Sequence, residues 1–143
     1  MPLLRNGTIV DDPWQGANAG GVIDLATWQE DRAVLLARNT PLALTLGPAD
    51  RVDSLVADVH RFTMIALDFP AFTDGRPYST ARLLRERFGY RGELRATGDV
   101  QRDQMSFMER CGFDAFQVAT EGAVEDYATA MSEISVSYQP VGA

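Results

Sequence analysis

Four short apolar runs alternate with segments of helical character after residue 41, and this alternation constrains the fold more than any other feature. The runs are Leu42–Leu46, Met64–Phe69, Glu93–Thr97 and Phe113–Thr120. Strands separated by helices of about ten residues need crossover connections, which make a sheet parallel and its crossovers right-handed. We therefore predict an α/β fold with four consecutive βα units in a mainly parallel sheet. Four units are either half of an eight-unit barrel or an open sheet.

The first 40 residues carry different signals. Asn6 and Gly7 stand between the short apolar runs Leu3-Leu4 and Thr8–Val10, a pattern typical of a β-hairpin. Thr27 has capping-box spacing to a glutamate three residues later, which predicts a helix. A chain of 143 residues has the length of one domain. We expect a single α/β domain, with the hairpin and helix in residues 1–40 and the βα core in residues 41–143.

The predicted helices of the core begin and end at recognisable residues. Asp50 is expected to cap a helix with its apolar stripe at Val52, Leu55, Val56, Val59 and Phe62. Further helices are predicted over 79–88, over 101–110 with Gly112 as terminator, and over the stripe from Val124 to Ile134. Cys111 shares an apolar stripe with Met108 and Phe107, which predicts core packing rather than a reactive thiol.

The strands are mostly apolar, as burial between layers of a parallel sheet requires. Eight strand residues are expected to be buried between layers: Leu44, Leu46, Ile65, Leu67, Leu94, Ala96, Phe116 and Val118.

The basic and sulfur-containing residues exclude several classes of protein. The chain has 13 arginines, no lysine, one histidine and one cysteine. A P-loop, a lysine Schiff base, a disulfide framework and a multi-histidine metal centre are therefore excluded. We expect no metal and no cofactor. A flavin-binding oxidoreductase is the weakest hypothesis, because no phosphate-binding glycine loop is present.

Charge is unevenly distributed along the chain. The net charge is −7, which argues against nucleic acid as a partner. Residues 76–110, however, hold eight arginines and five acids, a local charge of +3. These arginines either cover solvated helix faces with local ion pairs, or form a patch that docks an anionic ligand or an acidic partner.

The loop between the second and third predicted strands is the best candidate for a site. Sites in parallel α/β folds form at the carboxyl ends of strands, and this loop is the longest one there. An arginine beside a helix start can hold an anion. The candidate residues for anion or partner binding are Asp74, Arg76, Tyr78, Ser79, Arg82, Arg95, Thr97 and Asp99. Alternatively, the loop is structural, with Ser79 capping the helix and Arg76 paired with a carboxylate such as Asp68, Asp74 or Asp99.

Several segments resemble a bacterial family known as domain of unknown function 934. The resemblance rests on Phe69-Pro70, Phe72–Arg76, Tyr78-Ser79, Ala81–Tyr90, Gly92–Ala96, Gly98–Val100, Asp103-Gln104 and Arg110–Phe116. It covers most of the chain, is very specific over residues 69–116 and is loose over the first 40 residues. Genes of this family commonly lie beside those for assimilatory sulfite reductase and phosphoadenylyl-sulfate reductase. Some members are labelled oxidoreductases, and the family brings no established catalytic residues.

The resemblance implies a role in sulfur assimilation. The leading hypothesis is a non-catalytic accessory protein of cytoplasmic sulfate or sulfite reduction that docks on the reductase or its electron donor. The alternative is a small α/β enzyme or ligand-binding protein that holds a sulfur oxyanion or a nucleotide sulfate at the Arg76 loop. Because no apolar run spans a membrane and no signal peptide is visible, we expect a cytoplasmic protein. Exposed sheet edges predict a homodimer, unless the hairpin caps an edge within one chain.

Overall fold

The computed structural model describes residues 3–5, 8–14, 20–71 and 73–118. The strands are β1 (Leu3–Arg5), β2 (Thr8–Val10), β3 (Val22–Asp24), β4 (Leu42–Leu46), β5 (Phe62–Phe69), β6 (Glu93–Gly98) and β7 (Ala115–Gln117). The α-helices are α1 (Leu25–Ala37), α2 (Arg76–Arg82) and α3 (Arg102–Cys111). Among these described helices, none is long and apolar enough to cross a membrane.

The strands form one open sheet in the order β2-β1-β7-β6-β5-β4-β3. From β3 to β7 the strands are parallel and each lies beside the next one in sequence. Right-handed crossovers that always step in the same direction place their connections on one face of the sheet. The predicted mainly parallel sheet is therefore confirmed, and it is open rather than a closed barrel. The N-terminal hairpin pairs antiparallel with β7 and covers that edge within the chain.

The face of the sheet toward the helices is lined by large apolar side chains. All eight strand residues predicted to be buried are at most 2% exposed and belong to this layer. Trp28 of α1 and Met108 of α3 pack against them from the helical side. Each buried leucine in such a layer stabilises the fold by about 1.5–3 kcal/mol. Cys111 is buried in the same core, as predicted.

The opposite face of the sheet is lined differently. Ala43, Met64 and Ala66 form a separate small cluster there with Trp14, which follows the hairpin. Because side chains alternate along a strand, Thr45 and Arg95 also point to this face. Among the described residues, this face thus carries one tryptophan with small and polar side chains and no helix.

The connection between β4 and β5 is not the predicted α-helix. It consists of two single 3₁₀ turns, Asp53–Leu55 and Val59–Arg61. The Asp50 carboxylate accepts a hydrogen bond from the Gly47 amide at 2.8 Å, and the first turn has no side-chain cap. Four of the five stripe residues are nevertheless buried, with Leu55 and Val59 in the two turns, Val52 before them and Phe62 at the start of β5, and only Val56 is exposed.

The connection between β5 and β6 begins earlier than predicted and changes its pitch. After α2, residues Leu83–Arg87 form one π-helical turn, closed by the Phe88 amide on the Leu83 carbonyl at 3.1 Å. Within this turn the Arg85 guanidinium donates to the carbonyls of Tyr90 and Gly92 at 2.9 and 2.7 Å. Arg85 therefore secures the approach to β6 instead of extending into solvent. The helix predicted over Val124 to Ile134 lies outside the described residues.

Candidate functional site

The predicted loop holds an ion pair at the start of α2. Arg76 donates from Nε and Nη2 to the Asp74 carboxylate at 3.0 and 2.7 Å, and its backbone amide donates to Asp74 Oδ1 at 3.0 Å. These hydrogen bonds hold the pKa of Asp74 below its ordinary value. Arg76 is thus paired with a carboxylate of the chain, as the second hypothesis for this loop expects, and that carboxylate is Asp74. An oxyanion would have to displace Asp74 to use the same fork.

Tyr78 links this loop to α3. Its hydroxyl donates to Gln104 Oε1 at 3.2 Å, and its ring lies edge-on to Phe69 with centroids 5.1 Å apart. Burial raises the pKa of the Tyr78 phenol, so the hydroxyl remains a hydrogen-bond donor. Ser79 is exposed and makes no side-chain cap at the helix start in the described part of the chain.

An exposed aromatic ring between two arginines lies where α2 packs on α3. The Arg82 and Arg110 guanidiniums lie 6.0 and 5.8 Å from the centroid of the Phe107 ring. Phe107 is 39% exposed and rests on the Tyr78 ring at 4.8 Å. Neither arginine has a carboxylate within ion-pair distance among the described residues. We call Arg82, Phe107 and Arg110 the arginine–phenylalanine patch.

The sequence of α3 explains why this patch faces outward. Met105, Met108 and Cys111 recur at three-residue spacing and bury the inner stripe of the helix. Phe107 lies off that stripe, so its predicted place in the core with Met108 is wrong. Arg110 follows Phe107 at three-residue spacing and therefore covers the same outer surface.

Arg95 and Thr97 lie on the opposite face of the sheet from the helices. Arg95 is 2% exposed and donates to the Asp12 carboxylate at 2.9 and 3.1 Å. A second carboxylate, that of Glu93, lies 2.9 Å from Arg95 and also pairs with Arg5. Arg95 is therefore the centre of a buried charge network, separate from the arginine–phenylalanine patch.

The predicted residues thus divide among three places. Asp74 and Arg76 form a pair in the loop, Arg82 belongs to the patch, and Arg95 and Thr97 lie behind the sheet. Asp99 follows β6, where its amide donates to the Phe69 carbonyl at 2.7 Å and its carboxylate accepts from Gln101. The sequence analysis does not identify Phe107 and Arg110 as site residues. Their three-residue spacing could have shown that they share one surface of the helix. Asp12 and Trp14 are likewise not identified from the sequence, since only the folded sheet brings them to Arg95.

One comparison with known proteins gives a family. The model of a family described as "Bacterial protein of unknown function (DUF934)" matches residues 43–143. That range includes β4 from its second residue, β5 to β7, the predicted loop and the whole arginine–phenylalanine patch. No curated protein matches the chain significantly.

Proposed function

The chain belongs to this bacterial family of unknown function, and we propose that it is a non-catalytic accessory protein of cytoplasmic assimilatory sulfite reduction. In this role it docks on the reductase or on the reductase's electron donor. The link to sulfite reduction is supported by the family resemblance of residues 69–116. The docking role is supported by the arginine–phenylalanine patch, which is the observation that carries the proposal.

Three properties of the patch suit it to an acidic partner. It exposes an aromatic ring, and aromatic residues and arginine are enriched among the residues that dominate binding energy at interfaces. Its two guanidiniums lie against that ring without carboxylate partners in the described structure, so they can receive carboxylates from another protein. The ring holds both side chains in place, which reduces the entropy lost on binding.

The geometry favours docking over the alternative of an oxyanion site at Arg76. Arg76 already donates two side-chain hydrogen bonds to Asp74, whose side chain is only 13% exposed. A sulfur oxyanion would have to compete with a carboxylate held only two residues away. Arg82 and Arg110 have no carboxylate within ion-pair distance among the described residues, and Glu86 acts on Arg82 only from farther away.

The test is direct binding between purified proteins. The chain is titrated against assimilatory sulfite reductase and, separately, against its electron donor from the same bacterium, at low and high salt. We expect binding to one of them that weakens as salt rises, because charge pairs across an interface are screened. Phe107→Ala should weaken binding by about tenfold or more, as an aromatic anchor does. Arg82→Ala and Arg110→Ala should mainly slow association.

A matched control removes the same charge elsewhere. Arg51 is a highly exposed arginine outside the patch, and Arg51→Ala should bind like the wild type. Melting temperatures of all variants establish that they are folded. The proposal fails if neither protein binds the wild-type chain, or if the three patch variants bind as tightly as Arg51→Ala.

A further inference from the structure

The face of the sheet opposite α1, α2 and α3, which no described helix covers, holds a cavity of about 260 Å³. Its described lining consists of Asp12, Trp14, Val22, Thr45, Met64, Ala66, Arg95, Thr97 and Gln117. The cavity lies across β4, β5 and β6 and is closed on one side by the segment that follows the hairpin. It shares no residue with the arginine–phenylalanine patch.

The cavity exists because the two faces of these strands carry side chains of different size. Toward the helices, β4 and β5 carry leucine, isoleucine and phenylalanine, which fill the core. Toward the cavity, Thr45 and Ala66 are paired across the same two strands, and Ala66 is next to Arg95 on β6. The small side chains leave an open-sided depression on this face, with space for another molecule.

The charges in the cavity wall are already balanced. Arg95 lies 2.9 Å from Asp12 Oδ2 through Nη1 and 3.1 Å from Asp12 Oδ1 through Nη2. Its Nε and Nη2 both lie 2.9 Å from Glu93 Oε2. An anion would have to displace a carboxylate from this buried network, at a high desolvation cost. The cavity therefore suits an uncharged molecule.

The wall nevertheless offers hydrogen bonds along one side. A guanidinium has five N–H donors, and the four contacts of Arg95 leave one Nη1 donor without a partner among the described residues. The Thr45 hydroxyl is 3.4 Å from the Ile23 carbonyl. The Thr97 hydroxyl is 3.5 Å from the Leu67 carbonyl and 3.4 Å from Asp68 Oδ1. Hydrogen bonds this long are weak, so both hydroxyls can turn toward a ligand.

The geometry points to a binding site for a small, uncharged, planar heteroaromatic molecule with polar atoms on its edge. Trp14 and Met64 supply apolar surface for its ring. Arg95 Nη1 donates to an acceptor on its edge, and the Thr45 and Thr97 hydroxyls pair with the remaining polar atoms. At roughly 30 Å³ per water, the cavity has the volume of about nine water molecules, which matches a ligand of about ten non-hydrogen atoms. This site goes beyond the docking role and does not depend on it.

Adenine is the probe, since it is planar, neutral at pH 7 and of this size, and benzoate is the matched anion. A nuclear magnetic resonance titration follows the Trp14 indole N–H and the Arg95 Nε–H. We expect adenine to shift both signals in a saturable way and benzoate to leave them unchanged. Ala66→Leu, which fills the cavity, should abolish the shifts. Thr97→Val should weaken binding about threefold to tenfold, the value of one hydrogen bond.

Thr63→Val on β5 is the control for Thr97→Val, because Thr63 is exposed and does not line the cavity. Should Ala66→Leu fail to fold, Thr97→Val carries the test alone. The inference is overturned if adenine leaves the two signals unchanged, if benzoate binds as well as adenine, or if both cavity variants bind adenine like the wild type.

Discussion

The Asp12 carboxylate and the Arg95 guanidinium, 83 residues apart in the chain, face each other end-on through hydrogen bonds of 2.9 and 3.1 Å. Asp12 follows the N-terminal hairpin, whereas Arg95 lies in the middle of β6. Their pairing fixes the segment that carries Trp14 against the face of the sheet opposite α1, α2 and α3. The pair thus stabilises the fold and also forms part of the cavity wall.

Removing Arg95 should therefore be strongly destabilising. Arg95→Ala removes the guanidinium that pairs with both the Asp12 and the Glu93 carboxylates, which are only 10% and 9% exposed, and leaves Glu93 with Arg5. Breaking a buried ion pair in this way costs about 3–5 kcal/mol in the free energy of unfolding. Urea denaturation measures it, and Arg91→Ala, at an exposed position on the preceding loop, is the control. Equal stability of the two variants would show that the network contributes nothing.

Two glycines with positive φ provide a matched pair for a second prediction. Gly89 (φ 67°) has open space where a Cβ would lie, whereas at Gly98 (φ 84°) a Cβ would lie only 2.3 Å from the Phe69 carbonyl oxygen. Gly89→Ala should cost about 1–2 kcal/mol, the price of a left-handed alanine. Gly98→Ala should cost clearly more, because β5 and β6 must separate. Thermal unfolding compares them, and equal losses would contradict the steric argument.

The sheet could be predicted because its signals are local and agree with each other. Short apolar runs bounded by turn residues, such as Leu42–Leu46, are typical of buried strands, and Gly112 ends α3 in the expected left-handed conformation. The helix predicted to open at Thr27 begins earlier, at Leu25. The Asp24 carboxylate accepts a hydrogen bond from the Thr27 amide at 2.8 Å and is the N-cap. Asp24 and Thr27 are both possible N-caps in the sequence, and Asp24 is the cap because β3 ends at this residue and α1 follows directly.

The sites were less predictable because they depend on contacts between distant residues. The apolar stripe near Asp50 has helical spacing, yet the same burial is achieved by two short turns. The arginines of residues 76–110 look alike in the sequence, but Arg85 binds carbonyls, Arg95 binds carboxylates and Arg82 covers an aromatic ring. Only tertiary structure distinguishes these three environments.

A core substitution tests the layer between sheet and helices. Leu67 lies in the middle of that layer and is 2% exposed. Leu67→Ala should lower the free energy of unfolding by about 2–5 kcal/mol through lost burial and the cavity left behind. Val56→Ala, at an exposed apolar position, should change it by less than about 0.5 kcal/mol. A similar loss for both would mean that Leu67 is not part of a packed core.

Self-association remains a prediction. The hairpin covers the β7 edge, while β3, only three residues long, forms the other end of the parallel sheet. We expect a two-fold dimer that covers β3, because uncovered edges pair with other strands. Analytical ultracentrifugation at micromolar concentration should give twice the chain mass of 15.7 kDa. A single species at 15.7 kDa would show that so short an edge needs no cover.

The pair between Asp74 and Arg76 should make stability depend on acid pH. The pKa of Asp74 is lowered in the folded chain, chiefly by the hydrogen bonds from the Arg76 side chain. A carboxylate with a lowered pKa stabilises the folded chain at any pH above its pKa in the unfolded chain, which is about 3.9. This stabilisation is lost as the pH falls through the pKa of the folded chain. Arg76→Ala removes the cause of the shift. The difference in melting temperature between wild type and Arg76→Ala should therefore be constant from neutral pH to about 5 and shrink below about 4.

Arg91→Ala is the matched control for this pH dependence. Arg91 is exposed and has no ion pair among the described residues, so its difference from the wild type should not change with pH. Asp74→Asn should behave like Arg76→Ala, because both remove the same charge-assisted hydrogen bonds. If the melting temperature of Arg76→Ala instead falls with acid as steeply as that of the wild type, Asp74 does not depend on Arg76 for its ionisation. The guanidinium would then be available to an external anion.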